Sequence, residues 1–258
     1  MPNPARLIHD STRTGGPAAS MLPSGPMHDT ESRIARVRGR VAEAAARAGR
    51  PAGEVQILAV SKTRPPEVVQ AAIAAGVRDL GENRVQEAER KIPLVLGAPT
   101  WHLIGGLQSN KAARAACLFD VIHSVDRPKL VPRLDQAAAA AGRRLEIYVQ
   151  VEFSRTELSP PQIEARARHV AADVAAAGAL ELAGLMTLPP FDPDPEAARP
   201  WFRKLRAIRD AIECEGILAP GLSMGMSNDF EIAIEEGATI VRIGTTIFGP
   251  RPRVAEPL

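Results

Sequence analysis

Short apolar runs alternate with longer helical stretches along most of this chain, and this alternation limits the possible folds more than any other feature. The first run, residues 55–60 (VQILAV), is β-branched and bounded by polar residues, as expected of a buried strand in a parallel sheet. Further strands are predicted at residues 79–83, 101–105, 120–125, 145–151, 182–186, 221–225 and 239–244. About eight strands separated by helices indicate an α/β protein, a single (β/α)8 TIM barrel.

A doubly wound open sheet is the alternative, because periodicity does not show whether a sheet closes on itself. The length of 258 residues fits one barrel domain, which typically needs about 250 residues. The first strand is not followed by Gly-x-Gly-x-x-Gly, which argues against a dinucleotide-binding sheet. We therefore expect a barrel domain over residues 30–258, with an extra N-terminal helix from Thr30 to about Ala48.

The first 29 residues differ in composition from the rest of the chain. They are rich in Pro, Gly, Ser and Thr and lack the apolar segment of a signal peptide. We predict that residues 1–29 are a disordered extension. No apolar run elsewhere approaches the roughly 20 residues that a membrane span requires.

Charge and cysteine content limit the expected partners and compartment. Lys and Arg number 32 against 30 Asp and Glu, so the net charge is +2 and indicates neither nucleic acid nor membrane as a partner. The two cysteines, Cys117 and Cys214, are too few for a disulfide framework and favour a reducing cytoplasm. Hydrophobic residues at 45% and charged residues at 24% exclude a mostly disordered chain.

In a TIM barrel the active site lies at the carboxyl ends of the strands. The residues at or just past the predicted ends are Lys62, Asn83, His102, His123, Glu152, Met186, Ser227, Arg242 and Gly244. Lys62 is the most informative, because a lysine among apolar strand ends is partly desolvated, which lowers its pKa and lets the amine attack a carbonyl. The alternative is a lysine that only extends into solvent.

The two last strands are each followed by small and hydroxyl-bearing residues. Ser227, Thr245 and Thr246 supply hydroxyls near Gly244 and Arg242, where barrels of this class commonly bind phosphate. Helix capping is an equally good explanation for Ser227 and Asp229. Barrel closure would bring this anion site beside the lysine of the first strand, and a ligand with an aldehyde and a phosphate suggests pyridoxal 5′-phosphate (PLP).

An ordered set of motifs makes the chain recognisable. The motifs are AVSKT (59–63), GENRVQE (81–87), WHLIGGLQSNK (101–111), HSVD (123–126), GLMT (184–187), LSMGMSND (222–229) and VRIGTTIFGPR (241–251). Over roughly residues 31–251 the chain resembles the pyridoxal phosphate homeostasis protein family, whose barrel is similar to the N-terminal domain of bacterial alanine racemase. The sequence departs from the family pattern at Arg84 and in the loop 152–161.

The resemblance implies a PLP site on which Lys62 forms the covalent Schiff base. The cofactor-binding residues that it implies are Lys62, Asn83, Met224, Met226, Ser227, Arg242, Gly244 and Thr245. Of these, Ser227, Gly244 and Thr245 would hold the phosphate. Arg242 would face the pyridine nitrogen and leave it unprotonated, which makes the ring a poor electron sink.

The resemblance implies a cytoplasmic, monomeric PLP-binding protein that holds or hands over PLP, with apo PLP-dependent enzymes as partners and no turnover of its own. A PLP-dependent racemase or other Schiff-base lyase is the alternative. Racemisation needs a second acid/base, but Tyr148, the sole tyrosine, lies within a strand, and residues 245–258 are too few for another domain. A third hypothesis makes Lys62 the nucleophile of a class I aldolase. We expect no metal, and expect His102 and His123 to line the pocket.

Overall fold

The computed structural model describes residues 26–154 and 157–250, and within them eight parallel strands form a closed barrel. The strands are β1 Gln56–Val60, β2 Asp79–Glu82, β3 Thr100–Leu103, β4 Val121–Val125, β5 Leu145–Gln150, β6 Leu180–Met186, β7 Gly221–Ser223 and β8 Ile240–Ile243. The barrel closes where β8 pairs with β1, with Leu58 opposite Arg242 and Ala59 opposite Ile243. The predicted (β/α)8 fold is confirmed, and the open sheet is excluded.

Helices surround the barrel, and all but the first and the last of them connect successive strands. They are α1 Pro26–Arg47, α2 Pro66–Ala74, α3 Val85–Lys91, α4 Ala112–Leu118, α5 Val131–Ala140, α6 Pro160–Ala176, α7 Arg199–Cys214, α8 Phe230–Glu235 and α9 Thr245–Phe248. Neither α3 nor α9 was predicted. The helix α3 has only two apolar residues, Val85 and Ala88, and α9 is only four residues long, so neither shows a repeating apolar face in the sequence.

The helix α1 begins at Pro26, four residues before the start predicted at Thr30. The last part of the predicted extension, residues 26–29, is therefore helical. Residues 1–25, which carry the rest of that prediction, lie outside the described residues.

An apolar stripe on α1 holds this extra helix against the barrel. Ile34, Val37 and Val41 are buried at intervals of three and four residues, which places them on one helical face. The helix packs against α2, α8 and α9, so it covers the seam where β8 meets β1. Arg40 adds a paired contact, because its guanidinium donates to both carboxylate oxygens of Glu231 at 2.7 and 2.9 Å.

Side-chain alternation along the strands divides the core into two layers. One set of residues points outward and packs beneath the helices, and the other points into the barrel. The apolar residues of the interior cluster are Leu58, Val121, Tyr148, Met186 and Ile240. This alternation decides which residues past the strand ends can reach a ligand at the mouth.

Candidate functional site

A cleft of about 610 Å³ opens at the carboxyl ends of the strands, where a barrel of this class carries its active site. Its lining residues are Val60, Lys62, Arg64, Asn83, Ile104, Leu188, Phe191, Met226, Ser227, Asn228, Arg242, Gly244 and Thr245. Three of these are cationic and none is a carboxylate, so the cleft suits an anionic ligand. Its volume lies within the usual range of roughly 300–1,000 Å³ for small-molecule sites.

Seven of the eight residues predicted to bind the cofactor line this one cleft: Lys62, Asn83, Met226, Ser227, Arg242, Gly244 and Thr245. They come from the ends of β1, β2, β7 and β8, which are distant in sequence. Closure of the barrel brings them together.

Met224 was predicted to line the pocket, and the structure places it in the outer hydrophobic core instead, with no exposed surface. Ser223 points into the barrel, so the next side chain along the strand direction points outward. Met226, two residues further on and half-buried, is the methionine that reaches the cleft.

Lys62 reaches the cleft because it continues the inward-facing side of β1. Leu58 belongs to the barrel interior and Val60 lines the cleft, so Lys62 is the next inward position. The end of β8 lies directly alongside, since a Cβ placed on Gly244 would be 3.5 Å from the Cβ of Val60. The lysine and the small residues after β8 therefore share one wall.

A tight turn after β7 presents Ser227. Gly225 has φ of 92°, and a Cβ there would approach the Cβ of Ala233 to 2.6 Å, so only glycine fits. The backbone N–H of Met226 donates to the Asp229 carboxylate at 2.6 Å, which closes the turn. Burial raises the pKa of Asp229, while the Met226 N–H and the charge of Arg242 act against that rise. Asp229 is therefore a turn residue and does not line the cleft.

Arg242 is a buried cation at the floor of the cleft. Its guanidinium donates to the Ser223 carbonyl and hydroxyl at 2.6 and 2.7 Å, and to the Thr187 carbonyl at 2.7 Å. Burial lowers the pKa of Arg242 to about 10, and the charge of Asp229 partly offsets this. The side chain is still a cation at neutral pH, and its fixed bonds hold it at one orientation.

His102 and His123 do not line the cleft, contrary to prediction, but lie inside the barrel below it, buried to 1% and 0% exposure. His102 Nδ1 lies 2.9 Å from His123 Nε2, and His123 Nδ1 lies 2.9 Å from the Ser223 hydroxyl. At the other end, His102 Nε2 lies 3.3 Å from the Asp79 carboxylate. With Arg242 bonded to Ser223, the chain of contacts crosses the barrel from the cleft toward the amino ends of the strands.

One arrangement of protons satisfies every contact in this chain from Arg242 to Asp79. Burial lowers the pKa of His123 well below its usual value, and the charges of His102 and Arg242 add to the effect. Arg242 donates to Ser223, so the Ser223 hydroxyl proton points to His123 Nδ1. His123 then donates from Nε2 to His102, which donates from Nε2 to Asp79. The bonds thus run from the cation at the cleft to the carboxylate.

Sequence reasoning missed a buried ionic cluster beneath the Lys62 loop. Glu82 is the last residue of β2, and Lys91 is the last residue of α3. Lys91 Nζ lies 2.7 Å from Glu82 Oε1 and 2.9 Å from Glu87 Oε1, and Lys91 is only 5% exposed. The sequence feature that could have revealed the cluster is Glu82, a carboxylate at the end of a strand that is otherwise mostly buried.

Within residues 26–154 and 157–250, no group of three or more His, Cys, Asp or Glu side chains is placed to hold a metal ion. Cys117 and Cys214 are both exposed free thiols, on α4 and α7. None of the helices in this same part of the chain combines the length and the apolar character that crossing a bilayer requires.

Comparison with known proteins places this barrel in a defined class. The family model for the N-terminal domain of alanine racemase matches residues 33–252. A pyridoxal phosphate homeostasis protein of Aquifex aeolicus is 39% identical over 221 residues, which are 85% of this chain and 97% of the relative. A protein of the same name from Escherichia coli K12 is 39% identical over 232 residues, which are 87% and 98% of the two chains.

A solved structure agrees with these sequence relatives. PipY of Synechococcus elongatus with PLP bound has a TM-score of 0.73 and 36% sequence identity, over 85% of this chain and all of that one. Fold and mouth residues together define a barrel of the alanine racemase N-terminal class, with a lysine at the end of its first strand. Within that class, the chain belongs to the pyridoxal phosphate homeostasis protein family.

Proposed function

We propose that this protein binds PLP covalently through Lys62 and serves PLP homeostasis without turning over a substrate. One observation carries the proposal: the Lys62 side chain and the hydroxyl residues after β7 and β8 line the same cleft. The curated relatives named for this function match nearly their whole length, and the related PipY structure contains PLP. An aldehyde and a phosphate on one ligand match these two parts of the site.

In this proposal, different residues of the cleft contact different parts of the ligand. Lys62 would hold the aldehyde end of the ligand, where its Nζ could form a Schiff base with release of one water. Ser227, Gly244 and Thr245 hold the phosphate with hydroxyl and backbone N–H donors. Asn83 and Met226 flank the ring, as their places in the lining allow.

In this proposal Arg242 is the residue that limits turnover. When bound, PLP can stabilise a carbanion by drawing electrons toward a protonated ring nitrogen. A guanidinium is a donor only, so Arg242 can donate to that nitrogen but does not protonate it. Its bonds to Ser223 and Thr187 hold it in place. The site therefore retains the cofactor and promotes little carbanion chemistry.

A racemase or Schiff-base lyase would need a second proton-transfer group beside the ligand. The described lining of the cleft contains no Tyr, His, Cys, Asp or Glu. Tyr148 stacks on His123 inside the barrel, with ring centroids 4.6 Å apart, and lines a separate groove at the opposite end. Burial raises the pKa of its hydroxyl, with a contribution from the charge of Glu146. This arrangement favours a binding protein.

Absorbance spectroscopy with borohydride trapping tests the proposal. Purified protein is mixed with PLP, and its spectrum is recorded before and after reduction, followed by peptide mapping. We expect a visible band that reduction removes and a stable mass increase on Lys62. The Lys62→Ala variant should show neither, while Lys129→Ala, an exposed lysine past β4, should behave as wild type.

Two results would contradict the proposal. A label on a different lysine would refute the role of Lys62. A colourless protein that takes up no PLP, but is trapped on Lys62 with a sugar phosphate, would favour the aldolase hypothesis.

The wider biological role extends this proposal. We propose that the protein works as a cytoplasmic monomer that passes PLP to apo PLP-dependent enzymes. The exposed, unbridged thiols of Cys117 and Cys214 fit a reducing compartment. Light scattering gives the mass in solution, and recovery of activity by an apo-enzyme mixed with the PLP-loaded protein tests transfer. A mass equal to that of a dimer would refute the monomer. Recovery of apo-enzyme activity no faster than with the same amount of free PLP would refute direct transfer.

A further inference from the structure

The backbone on both sides of Lys62 is bonded to a single ionic cluster. On the preceding side, the ammonium of Lys91 donates to the Ser61 carbonyl at 2.9 Å. On the following side, the backbone N–H of Thr63 donates to Glu87 Oε1 at 2.5 Å. The same Glu87 oxygen also accepts from Lys91. Lys62 therefore lies between two anchored residues.

Glu82 completes the cluster from the end of β2. The Ser61 hydroxyl donates to Glu82 Oε1 at 2.6 Å, and Lys91 donates to the same oxygen at 2.7 Å. Ser61 is thus held through both its carbonyl and its hydroxyl. The ammonium of Lys91 has three protons, and its three acceptors are Ser61, Glu82 and Glu87.

The backbone of Thr63 shows that this anchoring holds the loop in an intrinsically unfavourable conformation. It has φ of 62°, which is costly for a β-branched residue, and among the described non-glycine residues it alone has a positive φ. Such backbone strain persists where the surroundings enforce it, and it is concentrated at functional sites. The bond from Thr63 to Glu87 supplies that enforcement.

Other features of the cluster indicate that it contributes more to the position of the Lys62 backbone than to the stability of the fold. Glu82 is fully buried, yet its Oε2 accepts no hydrogen bond from the described residues. Burial raises the pKa of Glu82, and its bonds to Lys91 and Ser61 only partly counter this. A buried ion pair of this kind often stabilises a fold no better than apolar side chains of similar size.

We infer that Lys91, Glu82 and Glu87 are positioning residues, which hold the backbone on either side of Lys62 so that its amine meets the ligand aldehyde. The inference rests on the proposed function. The cluster lies outside the barrel wall and does not line the cleft, so it acts on Lys62 and not on the ligand. It should control covalent capture without affecting how the phosphate and ring bind.

Two ligands separate these effects. PLP has the aldehyde, and pyridoxine 5′-phosphate has an alcohol there and can bind only non-covalently. For Lys91→Met we expect the apparent dissociation constant of PLP, measured by titration of the visible band, to rise about ten- to a hundred-fold. This is the usual range for losing a charge-assisted hydrogen bond. The affinity for pyridoxine 5′-phosphate should not change. Arg90→Met, at the exposed neighbouring position on α3, is the matched control and should match wild type for both ligands.

Further variants protect the test against a simple folding defect. Lys91→Met leaves Glu82 buried and unpaired, so the double variant Glu82→Leu/Lys91→Met removes both charges and should fold. It should show the same selective loss of PLP capture. Glu87→Ala removes the anchor of Thr63 and should also weaken capture, whereas Glu87→Gln keeps an acceptor oxygen and should restore it.

The outcomes distinguish this inference from the proposed function. If wild-type protein captures no PLP, the proposed function fails. If wild type captures PLP and the double variant captures it equally well, the positioning role is wrong. Equal losses for PLP and pyridoxine 5′-phosphate in the double variant and in Glu87→Ala would also overturn it, because they would indicate a general distortion of the cleft.

Discussion

His123 is fully buried in the folded protein, and its imidazole is neutral there. Burial lowers its pKa, so the unfolded chain takes up a proton below about pH 6.5 that the native protein does not. The contribution of His123 to the free energy of unfolding is therefore complete above its pKa in the unfolded chain. This contribution is lost as the pH falls below that pKa. The loss approaches about 1.4 kcal/mol per pH unit.

Replacing His123 should make stability less sensitive to mild acid. We expect the unfolding free energy of His123→Gln, measured in urea at several pH values between about 6 and about 5, to fall less steeply than that of wild type. Ala35→Gln, at an exposed and non-titrating position of α1, is the control and should keep the wild-type slope. Parallel slopes for wild type and His123→Gln would contradict the neutral assignment.

Met224 and Met226 offer a matched pair, because they are two residues apart and differ in surroundings. Met224 has no exposed surface, so Met224→Ala should lower the unfolding free energy by about 3 kcal/mol through the cavity it leaves. Met226→Ala should cost little stability but weaken binding of pyridoxine 5′-phosphate, because Met226 lines the cleft. Urea unfolding and ligand titration check both. A binding loss confined to Met224→Ala would contradict this assignment.

At the scale of elements, α1 covers the seam between β8 and β1 with one apolar face. Val37 lies at the centre of that face with no exposed surface, whereas Ala35 is exposed on the same helix. Val37→Asp buries an unpaired carboxylate and should destabilise the protein by about 3 kcal/mol or more. Ala35→Asp should be nearly neutral. Urea unfolding of both variants is the measurement, and equal effects would show that α1 does not contribute through packing.

The short elements show the limit of sequence patterns. The eight strands were predicted within a few residues, mostly because they are compact apolar runs between turn residues. The weakest signal was that of β2, whose sequence DLGE has one large apolar residue. The helices α3 and α9 were missed, since α3 is mostly polar and α9 has only four residues, so neither shows a repeating apolar face. The missed α3 carries Lys91 and Glu87, so the positioning cluster was missed with it.

For the whole molecule, ligand binding should stabilise the closed barrel. The cleft draws on both β1 and β8, so a ligand bound there joins the strands that close the barrel. At 100 times its dissociation constant, PLP should raise the unfolding free energy by about 2.7 kcal/mol, because it binds only the folded state. Urea unfolding with and without PLP measures this. At the same PLP concentration, Lys62→Ala should gain less, and an equal gain would argue against the covalent bond.

The sequence by itself determined the order of strands and helices and most of the residues at the mouth, whereas the closure of the sheet into a barrel was decided by the structure. The alternation of apolar runs and helices is a local property, and the carboxyl end of each strand follows from it, so Lys62, Ser227 and Arg242 could be placed without coordinates. The resemblance to a known family added the chemistry of the ligand. Neither showed that the sheet closes, which is what brings the end of β8 beside the end of β1.

Only the tertiary structure decided what each polar side chain contacts. Whether a residue points into the barrel or out toward a helix depends on strand register, and a shift of one residue reverses it. That choice put Met224 in the core and joined His102 to His123. It also placed Lys91 beneath Ser61, thirty residues away in sequence. Contacts at such separations depend on three-dimensional packing, so no local pattern in the chain could reveal them.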